Sequence, residues 1–263
     1  MEKERIVLKW GSDSVTNDTG IDEDALNQSA LEIAGIRDRY DAVVVSSGAV
    51  AVGKTLWHPY REEQSKSESE PSDQAYAMMG SAHCHVAWQK ALSRFDIPSG
   101  QLLVTHHQIE GSEKPVLKNA LEECFKWGIV PDINENDAFS IEELAKLVYG
   151  GDNDGIAGHI AELIKASAMI IYTGKGGLMD DNWEEVRQLI PGRYKWAREL
   201  VEHRERRKPK DASDKGTGGM SSKLKVCIDA AALGVKTHIA KVGTPIEDVL
   251  NGESGTEIVA FAA

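Results

Sequence analysis

Ala42-Val43-Val44-Val45-Ser46-Ser47-Gly48-Ala49 is the stretch on which the fold turns. Four consecutive apolar residues, three of them β-branched, make a strand with no polar face, and such a strand must be covered on both sides. It runs at once into two serines and a glycine, which open a helix. Just upstream, Asp22 to Tyr40 carries Ala25, Leu26, Ala30, Leu31, Ile33 and Ile36 at helical spacing. Doubly buried strands alternating with amphipathic helices predict an α/β chain, with a mainly parallel central sheet between two helical layers, a three-layer αβα sandwich.

The alternation continues outward in both directions. Arg5 to Leu8 is a short apolar strand that ends at Lys9, followed by a turn through Gly11-Ser12-Asp13-Ser14. Downstream, helical spacing marks Gln74–Phe95, Lys114–Trp127, Gly155–Lys165 and Ser222–Leu233. Strands are expected at Gln101–Thr105, Gly128–Asn134, Ala168–Tyr172, Lys236–Ala240 and Glu257–Phe261. Tyr60 to Asp73, rich in Glu, Ser and Lys, reads as an exposed loop. Trp183 to Asp214 shows no clear pattern, and its basic run from Arg204 to Lys208 reads as a solvated face. No repeat or shift in composition divides the chain, so one domain over 1–263 is expected.

The formal net charge of -12 argues against binding a nucleic-acid backbone, which calls for a basic face. It leaves room for a single nucleotide held by a few lysines. Cys84, Cys124 and Cys227 are odd in number and far apart, which suits a reducing cytoplasm better than a disulfide framework. The first residues hold no signal-peptide core, and no apolar run approaches the roughly 18 residues of a membrane span.

Chemistry concentrates where strands give way to helices. In open α/β sheets ligands bind at the carboxyl ends of strands, where helix N-termini offer free N–H groups to anions. Lys9, at the end of a buried strand, can present its ammonium there; the plainer alternative is a surface lysine. Ser46-Ser47-Gly48-Ala49 allows close backbone approach after its strand. Gly216-Thr217-Gly218-Gly219-Met220-Ser221-Ser222-Lys223 resembles a phosphate cradle with an added point charge, or else a hinge loop. Asn134-Glu135-Asn136-Asp137 and Asp152-Asn153-Asp154 can hold Mg²⁺ or an ammonium group, or orient a lysine; helix capping by Asp154 is the alternative. Neither a GxGxxG fingerprint nor a P-loop is present. His83-Cys84-His85 and His106-His107 lack converging partners, so no side-chain metal site is read from them.

Taken in order, these stretches resemble the amino acid kinase family, in its glutamate-phosphorylating branch. The resemblance rests on Ile6 to Ser12, Val45 to Gly53, Val130 to Asp137, Gly151 to Asp154 and Gly216 to Leu224, and spans nearly the whole chain. It implies the carbamate kinase-like αβα fold, with a substrate lobe over about 1–165 and a nucleotide lobe over about 166–263. It implies transfer of the ATP γ-phosphoryl group to the γ-carboxylate of L-glutamate, with Mg²⁺, as the first step toward proline.

Carried over residue by residue, Lys9 and Lys223 would stabilise the moving phosphoryl group and Asp154 would orient them. Ser47, Gly48, Ala49, Asn134, Asp137 and Asn153 would hold glutamate. Lys9, Gly11, Thr173, Gly174, Gly216, Thr217, Gly218, Gly219, Met220 and Lys223 would face ATP. A homodimer or homotetramer is expected, with proline as a feedback inhibitor, and without nucleic-acid or membrane partners.

The sequence departs from the family at several points. Thr173 is followed by Gly174-Lys175 where the family carries an aspartate. The stretch between Asp137 and Gly151 is longer, and a glutamine often found near Met79-Gly80-Ser81 is absent. The chain ends near Ala263 without the C-terminal PUA domain of many bacterial members. Two other readings stay open: a related kinase acting on a different small acid or phosphate, and a non-catalytic ligand-binding or regulatory protein.

Overall fold

The computed structural model describes residues 3–60, 70–139, 153–207 and 219–260. Strand β1 (Glu4–Trp10) leads into a one-turn helix, α1 (Ser12–Val15), where a plain turn was expected. A small hairpin of β2 (Thr16–Asn17) and β3 (Gly20–Ile21) follows, then α2 (Glu23–Ile36), β4 (Tyr40–Val45), α3 (Ala49–Trp57) and α4 (Asp73–Ser93). Next come β5 (Ser99–Val104), α5 (His106–Glu110), α6 (Lys114–Lys126), β6 (Val130–Glu135), α7 (Asn153–Leu163) and β7 (Ala168–Thr173). The chain closes with β8 (Gln188–Leu189), α8 (Tyr194–Arg206), α9 (Met220–Ala232), β9 (Lys236–Lys241), α10 (Ile246–Leu250) and β10 (Thr256–Ile258). Strand β8 and helix α8 occupy the stretch from Trp183 that showed no pattern. Helix α2 stops four residues before Tyr40, because the chain turns through Arg37–Arg39 to enter β4.

The main sheet has the order β5-β6-β4-β1-β7-β9-β10-β8 among the described residues. The six strands from β5 to β9 run parallel, and β10 reverses direction against β9. The chain steps from β1 to β4 on one side and later returns to β7 on the other. A crevice therefore opens at the carboxyl end of β1, the place where parallel sheets bind ligands.

Alternation along β1 sorts its side chains. Ile6, Leu8 and Trp10 pack into a core with α2, α4 and α10. Val7 packs into the opposite core with α5 to α9. Lys9 shares the face of Val7, so its side chain runs toward α7 and α9. Trp10 anchors the strand end from the other face, stacked on Tyr172 at 5.1 Å and tilted against Trp88 at 5.0 Å. Helices α3 and α4 cross in backbone contact. A Cβ at Gly53 would fall 1.9 Å from the Tyr76 carbonyl oxygen, and one at Gly80 would fall 2.0 Å from that of Ala49. Larger residues would push the first turn of α3 away from the crevice. No described helix is long and apolar enough to cross a membrane.

His238 on β9 is fully buried, and neither ring nitrogen has a hydrogen-bond partner among the described residues. Burial, aided by Lys236, pushes its pKa down to about 4. The imidazole stays neutral when folded, whereas the unfolded chain protonates it below about 6.5. The unfolded state then binds the extra proton, so stability falls as pH drops from about 6.5 to about 4, by roughly 3 kcal/mol at most. His238→Leu should flatten the curve of unfolding free energy against pH across that window. Parallel curves for the two proteins would refute the assignment.

Candidate active site

Asp154 is the second residue of α7 and has no exposed surface. Its two oxygens pair with two different lysines. Lys223 Nζ, from the first turn of α9, donates to Oδ2 at 2.9 Å. Lys9 Nζ, from β1, pairs with Oδ1. The lysine side chains are 5% and 11% exposed, so neither is a surface lysine, and Asp154 pairs with both. Burial alone pushes the Asp154 carboxyl up; the ammonium groups of Lys9 and Lys223 outweigh that and hold it below the ordinary carboxylate range. Two cations and one anion leave a net positive charge in a low-dielectric crevice, which favours an incoming anion.

Across the crevice, the loop after β4 is tied to the loop after β1: Ser47 Oγ and Ser12 Oγ lie 2.9 Å apart. Gly48 adopts φ 107°, the left-handed region that admits glycine, and its Cα faces Thr16 and Val15. Ala49 begins α3 and is buried under Gly80. Asn134 is buried at the end of β6, and its Oδ1 has no partner among the described residues. Asn153 Oδ1 accepts the Glu135 N–H at 3.0 Å, so that amide joins β6 to α7. Asp137 follows in the turn after β6, near Cys84.

The other expected residues are placed less directly. The Thr173 hydroxyl closes its own turn, donating to the Gly176 carbonyl at 2.7 Å and accepting the Gly176 N–H at 2.8 Å. Gly11 and Gly174 lie side by side at the ends of β1 and β7. Gly219 and Met220 start α9, where the Glu205 carboxylate accepts from the Ser221 N–H at 3.1 Å and from its hydroxyl at 2.5 Å. That carboxylate from α8 sits on the helix N-terminus, where an anion would bind. Gly216, Thr217 and Gly218 fall outside the described residues, as do Gly151 and Asp152.

Two groups of contacts were not read from the sequence. Asp132 lies buried in β6, accepting from Ser46 Oγ at 2.8 Å and paired with His85 Nδ1 at 3.1 Å. This cluster holds the strand below Ser47. The signal was a carboxylate inside the apolar run Val130 to Ile133. Burial, then Asp132, pushes the Cys84 thiol up to about 12, which makes it a poor nucleophile. Arg204 donates to the carbonyls of Met179 and Asp180 at 2.8 and 2.5 Å and covers the Trp183 ring. The start of the basic run therefore pins a turn, and is not simply a solvated face.

Residues 4–241 match the amino acid kinase family. Glutamate 5-kinase 1 of Bacillus licheniformis is 35% identical over 245 residues, which cover 91% of this chain and 64% of that protein. Glutamate 5-kinase 1 of Bacillus subtilis is 32% identical over 267 residues, covering 98% of this chain and 70% of its own length. The chain thus spans about two thirds of these relatives. Carbamate kinase from Giardia lamblia bound to AMP-PNP shares the fold with a TM-score of 0.65 at 14% identity, covering 98% of this chain and 99% of its own.

Asp154→Asn removes the charge that both lysines share, and leaves two ammonium groups buried without it. Urea unfolding at neutral pH should show a loss of about 3–5 kcal/mol. An unchanged midpoint would mean that the lysines are neutral or solvated. In the parent protein the stabilisation from this carboxylate is complete above its ordinary pKa of 3.8, and is lost as pH falls through the lowered folded value.

Proposed function

Because this chain belongs to the amino acid kinase family, we propose that it transfers the γ-phosphoryl group of ATP to the γ-carboxylate of L-glutamate. The product is L-glutamyl 5-phosphate, and the reaction opens proline biosynthesis. The observation that carries this reading is the pairing of Lys9 and Lys223 through Asp154 at the mouth of the crevice. A glutamate carboxylate, with an ordinary pKa of about 4.3, is already the nucleophile at neutral pH. A carboxylate oxygen attacks the γ-phosphorus, the bond from phosphorus to the β,γ-bridging oxygen breaks, and ADP leaves. No proton has to move. The protein supplies alignment and positive charge, which suits two lysines fixed by one carboxylate.

In this reading the lobe over about 1–165 holds glutamate, through Ser47, Gly48, Ala49, Asn134, Asp137 and Asn153. The lobe over about 166–263 holds ATP through Thr173, Gly174 and Gly216 to Lys223. The Ser12–Ser47 contact and the Asp132 cluster fix the glutamate side. Phosphate binding at the start of α9 has to displace the Glu205 carboxylate. Mg²⁺, when bound with the nucleotide, neutralises charge on its phosphates. A homodimer or homotetramer, inhibition by proline and a cytoplasmic setting belong to the same proposal. The unpaired cysteines Cys84, Cys124 and Cys227 suit that compartment.

The first test is ATP turnover with Mg²⁺ and L-glutamate, with the acyl phosphate trapped as a hydroxamate. Aspartate, acetylglutamate and UMP serve as competing acceptors. Glutamate-dependent hydroxamate is expected. Product with another acceptor would reassign the substrate, and none with any acceptor would overturn the kinase reading. Lys223→Met should lower kcat by about 10²–10³, as loss of one transition-state donor does, with little change in the glutamate KM. A raised KM at unchanged kcat would instead put Lys223 in substrate binding.

A further inference from the structure

The ends of β1 and β7 are neighbours in register, with Trp10 opposite Tyr172. Beyond them the chain leaves the sheet through Gly11 on one side and Thr173-Gly174 on the other. Helix α1 folds Asp13 back across this gap. Its Oδ1 lies 2.9 Å from the point where a Gly11 side chain would begin, and its Oδ2 lies 3.1 Å from the equivalent point at Gly174. One carboxylate therefore fills the room that two glycines leave open. Lys9 Nζ is 3.7 Å from the same point at Gly11, yet it pairs with Asp154 and makes no ion pair with Asp13. The donor to Asp13 among the described side chains is Ser14 Oγ, at 3.4 Å.

An exposed carboxylate on the lip of a lysine-lined anion site opposes a polyphosphate, unless a divalent cation lies between them. The place suits such a cation, because the carboxylate beside the two glycines is a hard oxygen donor that no cation among the described residues pairs with. Mg²⁺ is commonly held by one or two carboxylates together with substrate phosphates. The site also accounts for Gly174. An aspartate there would start 3.1 Å from the Asp13 oxygen, so two carboxylates at this place would crowd and repel each other.

Resting on the phosphoryl-transfer reading above, we infer that Asp13 is the residue that faces the metal of the bound nucleotide, supplying from α1 the carboxylate that position 174 lacks. Position 13 thereby sets how strongly binding of the nucleotide depends on the divalent ion, while Lys9 and Lys223 act on the phosphates directly.

Calorimetric titration with ADP, with and without Mg²⁺, tests this apart from turnover. The parent protein should bind ADP more tightly with Mg²⁺. Asp13→Asn should lose about tenfold of that gain, while metal-free ADP binds as well as before or better. Asp13→Ser combined with Gly174→Asp should recover the gain. If Asp13→Asn keeps the full Mg²⁺ effect, or weakens both titrations equally, Asp13 does not face the metal. If only the double variant fails, the exchange between positions 13 and 174 is overturned. If the parent protein binds no ADP under either condition, the nucleotide reading falls and this inference falls with it.

Discussion

Asp154 pairs with two buried lysines at once, and the rest of the site is arranged around that requirement. A carboxylate with no exposed surface is tolerated only if cations reach it, and two ammonium groups in a crevice are tolerated only if an anion answers them. Satisfying all three fixes the relative positions of the end of β1, the start of α7 and the start of α9. These segments lie far apart in sequence, so the ion cluster also locks the crevice together. The charge left over is positive, in a chain whose total is -12. Local order, and not overall composition, makes this place attractive to an anion.

The supporting layers serve that geometry. Trp10, wedged between Trp88 and Tyr172, holds β1 from the face opposite Lys9. The lysine stem therefore has a fixed origin, and its ammonium has little freedom to wander. Gly53 and Gly80 let α3 and α4 touch through their backbones, which seats the first turn of α3 beside Ser47. Asp132 ties Ser46 to His85 beneath the same loop. Each of these contacts is made away from the lysines, and each narrows the positions their partners can take.

Acidic side chains recur around the lysine site with different tasks. Asp154 compensates charge, Glu205 occupies a helix N-terminus and Asp13 lines the open mouth. Their burial separates them. Asp154 is sealed and paired, whereas Asp13 is exposed and pairs with no cation among the described residues. A ligand that brings its own cation can use the second kind of carboxylate but cannot use the first.

Much of this could be read from sequence because it depends on local pattern. The unbroken apolar run at Ala42 to Val45 dictates a doubly covered strand, and the helical spacing of Ala25 to Ile36 dictates its cover. Lys9, Asn134, Asp154 and Lys223 stood out as polar residues at strand and helix ends. Helix α8 and the hairpin of β2 and β3 did not, because their residues are polar and their stability comes from tertiary contacts such as those of Arg204. The family resemblance already implied that Asp154 orients Lys9 and Lys223, whereas that Asp132 meets His85 and that Asp13 fills the space at Gly174 were decided only by the folded chain. The physical reason is range: periodicity and capping act over a few residues, whereas charge pairing and close packing act across whatever the sheet brings together.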